Sequence, residues 1–70
     1  MLNGVEGMVG DTATVTREVG PRHNPGTVWA RGESWLAISM VPGTKIEPDT
    51  TVVIAAVEQG LLVVYPIEES

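Results

Sequence analysis

Gly26-Thr27-Val28-Trp29-Ala30-Arg31-Gly32-Glu33-Ser34-Trp35-Leu36-Ala37-Ile38-Ser39 is the stretch whose reading decides the fold. It holds both tryptophans, and residues of alternating character flank Arg31-Gly32 on either side. Period-2 alternation about a glycine is the signature of a β-hairpin. The spacing predicts strands over Gly26–Ala30 and Glu33–Val41 joined at Arg31-Gly32. Arginine is a poor first residue for a two-residue type I′ loop, so a three-residue loop with Gly32 in a bulge is the alternative.

With a two-residue loop, Ala30 faces Glu33, Trp29 faces Ser34, Val28 faces Trp35 and Thr27 faces Leu36. One face then carries Val28, Ala30, Trp35, Ala37 and Ser39, small residues beside one indole, as expected of a core lining. The other carries Thr27, Trp29, Ser34, Leu36, Ile38 and Met40. On that face Trp29, Leu36, Ile38 and Met40 form a contiguous apolar surface, and such a surface marks an interaction site. The competing reading has loop 41–50 or the N-terminal lead-in folded over it as a satellite core.

The remaining chain is cut into short pieces by 8 Gly and 5 Pro. Residues 1–7 read as a flexible Gly-rich lead-in. A long first strand is expected from about Met8 to Val19, where Ala13 and Val15 alternate with Thr12, Thr14 and Thr16 and Gly10 supplies a bend. Gly20 to Gly26, with Pro21 and Asn24-Pro25-Gly26, is loop chemistry. Pro42-Gly43 fits the centre of a type II turn, and Thr44–Asp49 has room for a single helical turn. Thr51–Val57 is nearly all β-branched or apolar, as for a strand covered on both faces. Glu58-Gln59-Gly60 turns into a fifth strand, Leu61–Tyr65, ended by Pro66. Residues 68–70 form an acidic tail. Five strands with no substantial helix predict an all-β, OB-type Greek-key barrel over residues 8–67.

Seventy residues without cysteine make one small domain that buries only about 60% of its unfolded surface. No disulfide or thiolate site supports it, so a partner or self-association is an expected source of stability. Four Lys+Arg against nine Asp+Glu give a net charge of −5. That field repels phosphate backbones, which disfavours a nucleic-acid-binding OB module even though Trp29 and Trp35 offer stacking surfaces. No run approaches the 18–20 or so apolar residues of a membrane span, and no signal-peptide pattern opens the chain.

Chemistry finds little support. Gly32-Glu33-Ser34-Trp35-Leu36 lacks the second glycine of a nucleophile elbow. His23, the one histidine, has only Glu18 and Asn24 near it in sequence, and Glu47 with Asp49 read as turn residues. No catalytic residue, metal ligand or cofactor is expected.

The pattern Gly26-x-Val28-x-x-x-Gly32-Glu33-x-Trp35-x-Ala37-x-Ser39 resembles the C-terminal soluble domain of NfeD-like membrane proteins. Val9-Gly10-x-x-Ala13 precedes it, and Thr51-Val52-Val53-Ile54-x-x-Val57-x-x-Gly60-x-Leu62-x-Val64-x-Pro66 follows. The resemblance spans Met8 to Pro66. It implies an OB-fold domain attached to transmembrane helices that lie upstream of Met1, with the soluble domain on the cytoplasmic side and no protease domain in this chain. It further implies a non-catalytic role beside stomatin/prohibitin/flotillin-type scaffold proteins in regulating membrane protease activity. Two departures stand out. Pro48-Asp49 replaces the basic residue and glycine usual before strand four. Trp29, Leu36 and Ile38 occupy positions that are often polar in the family.

Overall fold

The computed structural model describes residues 6–67; the lead-in residues 1–5 and the acidic tail 68–70 lie outside them. Five strands, β1 (Thr12–Arg17), β2 (Gly26–Ala30), β3 (Glu33–Ser39), β4 (Thr51–Glu58) and β5 (Leu61–Pro66), close into one barrel in the order β1-β2-β3-β5-β4. All neighbours are antiparallel except β3 and β5, which run parallel. This is the OB arrangement expected from the strand count, and closure leaves no full-length strand edge open.

Arg31-Gly32 makes a two-residue turn. Both residues have positive φ, 52° and 78°, the type I′ geometry whose twist matches the flanking strands. The pairings Gly26–Ala37, Thr27–Leu36, Val28–Trp35, Trp29–Ser34 and Ala30–Glu33 are those read from the sequence, and no three-residue bulged loop forms. An arginine at φ 52° is offset by what its side chain does. Nε and Nη2 donate to Asp11 Oδ2 at 3.0 and 2.8 Å, and Nη2 also reaches the Gly7 carbonyl at 3.1 Å. Charge-assisted bonds of this kind compensate a strained backbone. Gln59-Gly60 repeats the device between β4 and β5, with φ 49° and 84°.

The first strand is shorter than the period-2 pattern implies. Glu6–Met8 is a 3-10 helix, and a turn closed by Asp11 N–H to the Met8 carbonyl (2.9 Å), with Gly10 at φ 96°, leads into β1 at Thr12. Met8 is 1% exposed and belongs to the barrel core. Beyond Arg17 the chain leaves the sheet. Val19 forms a separate two-way bridge with Ile46, at 2.9 and 2.8 Å. The residues between Thr44 and Asp49 therefore hold a bridge instead of a helical turn. Two proline turns frame that segment. Thr44 N–H bonds the Val41 carbonyl around Pro42-Gly43 (φ 80°), and Thr50 N–H bonds the Glu47 carbonyl around Pro48-Asp49 (φ 73°). Positive φ at the third position is what a type II turn demands, and here a non-glycine residue, Asp49, holds it.

Ala13, Val15, Val28, Ala30, Ala37, Val52, Ile54, Leu62 and Val64 fill the barrel, with Met8, Val19 and Ile46 beside them. Trp35 is partly buried against this cluster, and its Nε1 donates to the Ala30 carbonyl at 2.9 Å. β4 is less covered than its composition implies. Val52 and Ile54 are buried, but Val53, Ala55, Ala56 and Val57 are half-buried, and a register shift between Ile54 and Ala56 bends the strand. Pairing also continues past Tyr65: Pro66 lies opposite Val52, and the Ile67 N–H reaches the Thr51 carbonyl at 3.1 Å.

Candidate partner-binding surface

The outer face of β1, β2 and β3 is set by the two register rows Thr14–Trp29–Ser34 and Arg17–Thr27–Leu36. Trp29 and Leu36 are therefore diagonal neighbours across the hairpin, within reach of one another's side chains. They are 51% and 48% exposed, and Met40, just past the end of β3, is 47% exposed. Hydroxyls border them: Thr16 Oγ1 lies 2.7 Å from Thr27 Oγ1 and 3.2 Å from the Thr27 carbonyl. A rigid sheet thus presents an indole and a leucine to water without covering either.

Ile38 departs from this picture. Strand alternation puts it on the same outer face, yet it is only 4% exposed. It is not part of the barrel core; neither is Val63, its partner on β5, which is 8% exposed. Ile38 and Val63 line a cleft of about 660 Å³ together with Pro21, Arg22 and His23 of the β1–β2 loop, residues 18–25. Loop 41–50, the cover considered from the sequence, lends only Pro42 to the cleft wall. The apolar surface is accordingly two exposed pieces, Trp29 with Leu36 and Met40 with Val41, separated by a buried Ile38.

The inward face follows the hairpin register. Val28, Ala30 and Ala37 are buried, Trp35 caps them, and the Ser39 hydroxyl is satisfied locally by donating to the Val41 carbonyl at 3.1 Å. The cleft itself was not readable from sequence. Its rim pair, Arg22 and Glu58, is separated by 36 residues in the chain; the one local hint was Ala55-Ala56 interrupting a run of β-branched residues. His23 shares the cleft with Arg22 and Glu58, whereas Glu47 and Asp49 sit at the turn before β4. Among the described residues no group of three or more His, Asp or Glu is placed to hold a metal ion. No helix among them is long and apolar enough to cross a membrane.

Two solved structures share this barrel. One is the C-terminal domain of stomatin operon partner protein 1510-C from Pyrococcus horikoshii. It is 31% identical with a TM-score of 0.80, over 97% of this chain and 100% of that one. The other is the soluble domain of a membrane protein implicated in regulation of membrane protease activity from Corynebacterium glutamicum. It is 27% identical, also with a TM-score of 0.80, over 86% of this chain and 92% of that one. A search of curated proteins finds no match. Residues 5–66 match the family described as the NfeD-like C-terminal, partner-binding domain, and the chain belongs to that family.

Proposed function

We propose that this domain is a non-catalytic docking module that binds a scaffold protein of the stomatin/prohibitin/flotillin class through the outer face of the β2–β3 hairpin. Trp29 and Leu36 are the anchors in this reading, and Met40 extends the contact. The observation that carries it is the pairing of Trp29 and Leu36, each about half exposed, on a rigid face of a domain whose family is partner-binding. Tryptophan is the residue most enriched at energetic centres of interfaces. One solved relative is a stomatin operon partner protein and the other is implicated in membrane protease regulation, which supports a scaffold partner and a regulatory role at a membrane. Membrane attachment, in this reading, comes from helices outside this chain, with the domain on the cytoplasmic side. Capture of a purified stomatin-type protein by the wild-type domain, lost on Trp29→Ser/Leu36→Ser with the fold retained, tests it. Salt-dependent binding of oligonucleotides with a Trp29 fluorescence change would instead favour a nucleic-acid-binding module.

A further inference from the structure

The β1–β2 loop closes over the outer face as a strap. The Ser39 N–H donates to the Gly20 carbonyl at 2.9 Å, and the Asn24 N–H to the Pro21 carbonyl at 2.8 Å. From this strap the Arg22 guanidinium crosses to the Glu58 carboxylate at the far end of β4. Ile38 and Val63, 4% and 8% exposed, line the same cleft as this pair, together with Ala56 and Met40. Both charged side chains are about half exposed, 59% and 48%, so the tie between them is weak and screened by salt.

We propose that this cleft is the anchor pocket of the docking surface, and that its occupant is an apolar side chain of the partner adjacent to a lysine or arginine. The apolar group enters the cleft lined by Met40, Ala56, Ile38 and Val63, and the cation takes Glu58 over from Arg22. The inference rests on the docking reading and specifies the chemistry of what docks. Charge decides the class. The chain carries −5 overall, and two of its four cations, Arg22 and Arg31, are already engaged with Glu58 and Asp11. The field of such a domain draws in a cation and repels a carboxylate. A carboxylate would also have to displace Glu58 from Arg22 against that field. In the exchange Arg22 turns to water, which already bathes most of its side chain.

The experiment uses the 70-residue chain and two small probes, N-acetyl-Leu-Lys-amide and N-acetyl-Leu-Glu-amide, followed by two-dimensional amide NMR at low salt. The Leu-Lys probe is expected to shift the signals of Ile38, Ala56 and Val63 in a saturable way. Removing the internal competitor with Arg22→Gln should tighten it two- to fivefold, and Glu58→Gln should weaken it at least as much. Urea midpoints of both variants are expected to match the wild type, because both residues are exposed. Preference for Leu-Glu, weakening by Arg22→Gln, or no shifts at those three residues overturns the pocket. If the pocket fails while Trp29→Ser/Leu36→Ser still abolishes scaffold capture, the docking face stands without it. If the probe behaves as expected while that double variant captures the scaffold normally, the docking reading fails by itself.

Discussion

A methyl group at position 26 has no room. A Cβ built on Gly26 falls 2.0 Å from the Glu18 carbonyl oxygen and 2.5 Å from that of Arg17, whereas non-bonded contact needs roughly 3.5 Å. The φ of Gly26 is not positive, so the requirement for glycine is one of space and not of backbone conformation. It arises because β1 shifts register between Val15 and Arg17, which lays the end of that strand across the start of β2. Relief demands that β1 or β2 move by more than an ångström, yet β1 is pinned there. The Val15 carbonyl accepts the Asp49 N–H at 2.7 Å, and Thr16 bonds Thr27. Overpacking plus the loss of one or two of these bonds gives about 3–4 kcal/mol for Gly26→Ala. A 70-residue domain holds about 4–10 kcal/mol in total, so at least about a third of its stability disappears. Urea unfolding followed by far-UV circular dichroism reads this as a midpoint lowered by about 3 M, at a slope of about 1 kcal/mol/M. Two sister variants separate the causes. Gly7→Ala, whose nearest neighbour is 4.0 Å away at ordinary φ, should be neutral or stabilise by about 0.5 kcal/mol. Gly32→Ala meets nothing within 4 Å but sits at φ 78°, and should lose about 1 kcal/mol. If Gly26→Ala unfolds at the wild-type midpoint, or no lower than Gly32→Ala, the steric reasoning is refuted.

Three further predictions follow from packing and backbone geometry. Trp35→Ala should destabilise by about 3 kcal/mol, the low end for aromatic truncation because the indole is only partly buried. Trp35→Phe, which keeps the ring but loses the Nε1 bond to Ala30, should lose about 1 kcal/mol; equal losses would mean the ring packs nothing. Met8→Ala should lose about 2–4 kcal/mol in urea unfolding, since Met8 is 1% exposed; a neutral result would remove the 3-10 segment from the core. Asp49→Val should destabilise by about 1–3 kcal/mol because Asp49 holds φ 73°, while Asp49→Gly should stay within about 0.5 kcal/mol of wild type; tolerance of valine would contradict the type II turn.

Elements fixed by local chemistry were legible in the sequence. The hairpin register follows from alternation about Gly32, and the Pro42-Gly43 turn from one residue that sets φ and another that permits φ 80°. Trp35 was recognisable as an inward residue because it alternates in phase with Ala37 and pairs with Val28 across the hairpin. What was not legible depends on contacts far apart in the chain. Alternation from Met8 onward looks like one strand, but Met8 ends the 3-10 helix Glu6–Met8 with its side chain in the core, and a turn through Gly10 delays the strand to Thr12. Alternation likewise puts Ile38 outside the barrel, and it is outside. It is nonetheless only 4% exposed, beside a cleft whose other wall carries Arg22, paired with a Glu58 that lies 36 residues away in the chain. Period-2 reasoning tells which way a side chain points, not what lies over it.

The docking face is tested most directly by affinity for a purified stomatin-type scaffold, measured for the wild-type domain and for Trp29→Ser/Leu36→Ser alongside their urea midpoints. Both side chains are about half exposed, so the midpoint should move by less than about 1 M at the usual slope for a small domain. Binding should weaken by at least about 30-fold, as expected when an anchor contributing 2 kcal/mol or more is removed. Unchanged affinity with the fold intact, or collapse of the fold itself, would contradict the account.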